Sequence, residues 1–426
     1  MNLQSVRETK SDFPAVTVCN LNPFDVVTNK YAAKYINNTL QSNKISPLIV
    51  PTDNQAAINL VKIASTILKA NVLADNNLNA SNLSRESLGF TMSTMLISCY
   101  FNGIQCSASD FYWYGTFDYG NCYTFNGLKN SDGSSAPLKE TTKTGPNTGL
   151  VLELFLGVPG KQDFYTYKTG AYVLVHNSST KPLVQYDGMN VQTGTANNIK
   201  VSRSISYKLS EPYSSCRSDL TVQSSDSIYF KMASNYTDYD QKLCYDFYRQ
   251  INIAIAFCGC NDPSLPLALN INEYICKNQS GIDCCNAFKG NTSVIISESD
   301  CPYRCDSFTF ETNIDSAAYP SSYYSLILLN QTSIQNKFQL SNSFQPENVP
   351  SSRRKKRNSN HQINKRIKKD AVQSSTNVSS TQIAESFVMI NVFYSDLGYT
   401  LYEESAALDV ITFMGIIGIL ILNQIF

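Results

Sequence analysis

F387-V-M-I-N-V-F-Y-S-D396 alternates bulky and small residues and is rich in Val, Ile, Phe and Tyr, the pattern of a β-strand. A Gly-Tyr-Thr break and L401-Y-E-E-S405 follow. Next comes A406-A-L-D-V-I-T-F-M-G-I-I-G-I-L-I-L422, with one charge, Asp409, and glycines at 415 and 418, before N423-Q-I-F426 closes the chain. A bilayer core of about 30 Å takes roughly 20 mostly apolar residues in helix. Residues 406–426 supply 21. A buried core helix is the competing reading. A strand running straight into a near-charge-free helix favours a folded body standing on a membrane span.

The 426 residues carry no net charge and only 16% are charged, so no global field points to nucleic acid. Thirteen cysteines, several tightly spaced, imply disulfides and an oxidising compartment. Nine Asn-x-Ser/Thr sequons (Asn37, Asn79, Asn82, Asn177, Asn235, Asn278, Asn291, Asn330 and Asn377) agree with a secreted or extracellular body. Residues 1–12 hold no apolar segment that would send that body across a membrane. The expectation is a sequence cut from a longer chain with an upstream membrane segment.

In chain order, A15-V-T-V18 reads as a strand between Pro14 and an Asn/Pro turn, with Cys19 placed for a long-range bridge. P51–L68 reads as a helix capped by Thr52 or Asp53, with Ile58, Val61, Ser65 and Leu68 on one stripe. S84–S98 reads as a second, weaker helix. C99-Y-F-N-G-I-Q-C106 sets two cysteines around an Asn-Gly turn. G149–L156 and G170–H176 alternate as strands, and L243–F257 looks helical. Nine cysteines crowd residues 211–305 (Cys216, Cys244, Cys258, Cys260, Cys276, Cys284, Cys285, Cys301 and Cys305). C258-G-C260 and C301-P-Y-R-C305 invite a zinc reading, but the spacing is not that of paired Cys-x-x-Cys ligands. His176 has only His361 for company, which argues against a metal centre. R353-R-K-K-R-N-S-N-H-Q-I-N-K-R-I-K-K369 packs nine Lys/Arg into seventeen residues. It reads as a disordered basic insertion over 345–380, with cleavage at Arg353–Arg357 and a nucleic-acid patch as alternatives.

Several of these motifs together resemble the degenerin/epithelial sodium channel family. They are F13-P-A-V-T-V-C-N-L-N, Y119-G-N-C-Y-T-F-N126, the cysteine ladder of 216–305, and N391-V-F-Y with L408-D-V and G415-x-I-G418. The resemblance implies an α+β fold. Residues 1–405 would be a disulfide-rich extracellular domain of palm and β-ball sheets with helical finger, thumb and knuckle. Residues 406–426 would be an incomplete second transmembrane helix, since the chain ends about where the family's Gly-x-Ser filter begins. The implied disulfides are Cys19–Cys122, Cys99–Cys106, Cys216–Cys305, Cys244–Cys301, Cys260–Cys276, and Cys258 with Cys284 or Cys285. A further family bridge is lost at both ends together, Tyr248 and Ser299.

The implied function is a subunit of a trimeric, sodium-selective, amiloride-sensitive cation channel at the plasma membrane, homo- or hetero-trimeric, and not an enzyme. Asp409, Thr412, Gly415 and Gly418 would lie on the pore helix, with Asp409 near the outer mouth and the two glycines letting three helices approach. No cofactor or metal is implied. The gating stimulus, whether proton, peptide, mechanical or none, stays open; of the thumb acids, Asp246, Asp262, Glu273 and Asp283 are the candidates. The alternative is a non-conducting, membrane-tethered or shed module that binds a ligand or assembles with full-length subunits.

Overall fold

The computed structural model describes residues 2–27, 29–43, 54–75, 84–158, 166–289, 296–343 and 378–405. At its centre lies the last described strand, Phe387–Glu403, part of a seven-stranded sheet among the described residues. On one side it runs parallel to Thr195–Tyr207, which pairs in turn with the edge strand Asp306–Ala318. On the other side its first half is antiparallel to Leu150–Phe155, which pairs with Leu96–Phe101. Its second half is antiparallel to Asn2–Val6. A five-stranded sheet packs against this one, in the order Met189–Val191, Ala171–His176, Ala15–Asn20, Gly120–Phe125, Phe111–Thr116.

The two sheets share one core. Phe13, Val16, Val18 and Phe125 meet Leu150, Leu152, Val388, Ile390, Val392 and Ile199 in a single buried cluster. Phe387 and Val388, and again Ile390 to Tyr394, are buried in unbroken runs, as expected of a strand covered on both faces. Helices Lys30–Ser42 and Asn54–Ala74 build a smaller cluster around Phe24 and Leu88. Ile228–Tyr236 and Gln241–Arg249 build another around Phe230, Leu243 and Phe247. Six disulfides join Cys19–Cys122, Cys99–Cys106, Cys216–Cys305, Cys244–Cys301, Cys258–Cys284 and Cys260–Cys276.

Four expectations change. The Gly-Tyr-Thr break does not end the last strand, which continues to Glu403 because Asn2–Val6 supplies new hydrogen-bond partners beyond it. What the break leaves is an irregularity: pairing passes from Val201↔Tyr394 to Arg203↔Tyr399. The 84–98 helix is instead a 3-10 turn, Glu86–Leu88, a short helix, Met92–Met95, and the strand Leu96–Phe101. Gly89 parts the two turns, pressed so closely on the Pro23 carbonyl oxygen that a Cβ would lie 2.7 Å from it. The expected helix at 51–68 runs Asn54–Ala74, with its burial shifted towards the C-terminus onto Ile67, Leu68 and Ala70, while Ile58, Val61 and Ser65 stay half-buried. Its length and mean hydropathy of 1.3 would suit a membrane span. Its C-terminal half nevertheless packs against Ile282 and Phe117 of the folded body. Finally, the helix at 243–257 changes pitch, from α over Gln241–Arg249 to π over Gln250–Cys258.

The basic insertion expected at 345–380 lies outside the described residues except for 378–380, where Ser379 caps the helix Ser380–Ala384.

Gly398 lets the first strand approach the last, since a Cβ there would lie 2.5 Å from the Val6 carbonyl oxygen. Gly398→Ala should therefore cost about 1–3 kcal/mol and loosen this pairing first. Hydrogen exchange should speed up at residues 2–6 and 399–403 while the Phe387–Val392 amides keep their protection.

Candidate functional site

Where the first and last strands meet the long strand Thr195–Tyr207, a cation is enclosed. Along that strand Asn197, Ile199, Val201 and Arg203 all face inward, so the alternation that buries Ile199 and Val201 also buries Arg203, which is 6% exposed. A buried guanidinium is tolerated only when paired. Arg203 Nη2 donates to Glu8 Oε2 at 2.5 Å, to the Leu397 carbonyl at 2.9 Å and to Ser11 Oγ at 3.0 Å. Partial burial pushes the Glu8 carboxyl up, but the hydrogen bonds from Arg203 and Ser11 outweigh it and hold Glu8 below its ordinary range.

The guanidinium also lies 5.3 Å from the Tyr394 ring centre and 5.6 Å from that of Tyr399. These tyrosines are an odd number of residues apart and would point to opposite faces of an unbroken strand. The irregularity before Tyr399 resets the alternation, so both rings reach one cation. Sequence reading does not single out Arg203; its signal is an arginine in phase with Ile199 and Val201.

His176 closes a second buried network. Its Nδ1 faces the Asn177 carbonyl at 2.9 Å and its Nε2 the Thr17 hydroxyl at 2.8 Å, while Thr17 meets Thr124 at 2.7 Å. A carbonyl only accepts, so Nδ1 carries the proton, Thr17 donates to Nε2 and Thr124 donates to Thr17. Burial lowers the imidazole to about 4 from its ordinary 6.5.

A third feature is a cleft of about 550 Å³ between the five-stranded sheet and the disulfide-bonded helices, lined among others by Asp118, Tyr119, Tyr186, Asp246, Arg249 and Cys285. Burial pushes the Asp246 carboxyl up, against the opposing pull of Tyr186, Gln185 and Arg249. Asp262, also buried, lines the same cleft, whereas Glu273 and Asp283 are exposed away from it. Two of the four acids named from sequence thus come together.

The amiloride-sensitive sodium channel family model matches residues 1–420. The chain belongs to the amiloride-sensitive sodium channel family. Its relatives in this family of ion channels include the epithelial sodium channel subunit gamma of Rattus norvegicus, 30% identical over 44% of this chain and 27% of that protein. The human gamma subunit is 29% identical over the same shares. The degenerin-like protein asic-2 of Caenorhabditis elegans is 28% identical over 74% of this chain and 58% of that protein. The chain thus spans about a quarter of the gamma subunits it matches and under two thirds of the nematode protein.

Of the residues that the channel resemblance marks, Asp409, Thr412, Gly415 and Gly418 lie outside the described residues, as do Asn79, Asn82, Asn291 and Asn377. Asn235, Asn278 and Asn330 are exposed, and Asn37 and Asn177 half-buried. The cysteines of Cys258-Gly259-Cys260 and of Cys301 to Cys305 are all in disulfides, which removes the thiolates a zinc site would need.

Arg203→Ala should cost about 1–3 kcal/mol, because it takes a donor from the buried Ser11 hydroxyl and the Leu397 carbonyl and the counter-charge from the half-buried Glu8. The pair Arg203→Ala/Glu8→Ala should cost less than the sum of the single changes by about 1–3 kcal/mol, as read from thermal unfolding of the full chain in detergent. For His176, both folded and unfolded chains are neutral above pH 6.5. Between 6.5 and about 4 only the unfolded chain takes up the proton, so stability falls as pH falls, by roughly 3 kcal/mol at pH 4. His176→Gln should flatten the melting temperature over that interval; an unchanged slope would assign the acid sensitivity elsewhere.

Proposed function

We propose that this chain is a subunit of a trimeric, sodium-selective, amiloride-sensitive cation channel of the plasma membrane, most of its described residues forming an extracellular domain that gates the pore. The observation that carries the reading is the position of the last strand. Its first half is locked into the shared core, and beyond Glu403 it leads directly into the near-charge-free residues 406–426. A shift in the sheets therefore has a covalent route to a membrane segment. The disulfides support an oxidising exterior.

On this reading the two sheets are the palm and β-ball. The helices Lys30–Ser42 and Asn54–Ala74 belong to the finger, and Ile228–Tyr236 with the disulfide-stapled helices that follow forms the thumb. Residues 406–426 line the pore, with Asp409 drawing cations to the outer mouth and Thr412, Gly415 and Gly418 turned to the threefold axis. The Arg203 junction couples head to pore, because it ties the last strand, at Leu397, to the segment that follows the first strand, and the last strand then runs on to Glu403.

The test is a recording from oocytes expressing the full-length protein that contains these residues, alone and with related subunits. An amiloride-sensitive, sodium-selective current is expected. Gly415→Cys should render that current sensitive to a charged methanethiosulfonate reagent, with little effect of the reagent on the unmodified channel. Surface expression without sodium current in any subunit combination would favour the non-conducting module instead.

A further inference from the structure

Thirteen cysteines and six disulfides leave Cys285 as a thiol, and its surroundings define what that thiol can do. It lies on the helix Gln279–Lys289, 4% exposed, and its Sγ donates to Cys276 Sγ at 3.3 Å. Cys276 is itself bonded to Cys260. The neighbouring Cys284 is bonded to Cys258, and Ala254, Cys258, Cys260, Cys276 and Cys285 form one sulfur-rich cluster at the end of the π-helical segment. A thiol in contact with one sulfur of a disulfide has the reactants of thiol–disulfide exchange already assembled.

We infer that Cys276 has two alternative partners, Cys260 and Cys285, and that this part of the domain is a disulfide isomerisation switch. The Cys285 thiol gives up its proton and its sulfur attacks Cys276 Sγ. The Cys276–Cys260 bond breaks with its electron pair on Cys260, which takes up a proton. One disulfide is lost, one is gained and one thiol remains, so no oxidant or reductant is consumed. The reaction is reversible, because backbone hydrogen bonds from Asn261 to Tyr274 and from Cys276 to Asn261, 2.7 and 2.9 Å, hold Cys260 near its old partner.

The two isomers differ in what they stiffen. With Cys260–Cys276 formed, the segment between them is a closed loop, and Asp262, Ser264 and Leu265 from it line the cleft beside Cys285. With Cys276–Cys285 formed, the helix Gln279–Lys289 is held by two bridges and the loop by backbone hydrogen bonds alone. The loop then gains freedom and the cleft loses a fixed wall. The thiol also moves from the buried Cys285 to the half-buried Cys260, which makes the state chemically readable.

The experiment is disulfide mapping of the full-length protein. Folded protein is incubated with and without a catalytic glutathione couple for hours, the scale of uncatalysed rearrangement. It is then quenched in acid, alkylated under denaturing conditions and digested without reduction for mass spectrometry. Expected are two species: Cys260–Cys276 with alkylated Cys285, and Cys276–Cys285 with alkylated Cys260, the second increasing with glutathione. In Cys285→Ser the second species should be lost, and in Cys260→Ser the Cys276–Cys285 bridge should form alone. Cys260–Cys276 with alkylated Cys285 as the sole species in every wild-type sample would overturn the proposal. So would alkylation of both Cys276 and Cys285 in Cys260→Ser; should that variant fail to fold, the wild-type map decides.

Discussion

The parallel ladder between Thr195–Tyr207 and Phe387–Glu403 is the constraint on which the rest depends. Parallel strands cannot be joined by a tight turn, so the chain between them must leave the sheet and return. It uses the excursion to build the disulfide-bonded helices, the edge strand Asp306–Ala318 and the helices that cover Phe387. Because both faces of the last strand are occupied at its start, every element that packs there is positioned relative to it. The smaller helical clusters hang on this frame and lack its depth. Several are fixed by covalent bonds instead, and Cys216–Cys305 and Cys244–Cys301 close loops spanning 89 and 57 residues of sequence. Bridges of this kind typically contribute about 2–5 kcal/mol in extracellular domains.

The energetics divide accordingly. In the sheets, burial of Val, Ile, Leu and Phe against one another is the main stabilising term. At the strand junction the favourable terms are electrostatic and geometric: one guanidinium, one carboxylate, a hydroxyl, a carbonyl and two aromatic faces. Such a cluster adds little net stability over an apolar core of equal volume, but any one member missing is costly. It ties the strand Thr195–Tyr207 to the last strand at Leu397 and to the segment that follows the first strand at Glu8 and Ser11.

Much of the frame could be read from residues alone. The strands at 15–18, 150–155, 171–176 and 387–396 follow from alternation and β-branched content, because their period survives burial. The disagreements have physical causes that lie far away in sequence. The last strand outruns its Gly-Tyr-Thr break because its partner comes from the first six residues, and the 84–98 helix is interrupted by the approach of Pro23 to Gly89. The π-helical stretch at 250–258 has the composition of an α-helix, and nothing local marks the change of pitch. Arg203 was legible only as a charge in phase with buried neighbours; its partners, Glu8 and Leu397, lie 195 and 194 residues away. The contact between Cys285 and Cys276 was equally hidden, since an adjacent pair at 284–285 does not say which sulfur turns inward.

The register of the outermost pairing has a mechanical consequence. Asn2 sits opposite Glu403 and Val6 opposite Tyr399, so the two strands are the arms of a short antiparallel ribbon whose open end is at Asn2 and Glu403. A force that spreads the arms acts on such a ribbon as on a zip: rungs yield one after another, starting at Asn2 and Glu403, and never share the load. Each rung is weak, so the ribbon opens under modest tension until the tear reaches Gly398 and the enclosed guanidinium just behind it. There the resistance rises abruptly, which makes that cluster the stop that limits how far lateral spreading of the arms can travel into the seven-stranded sheet.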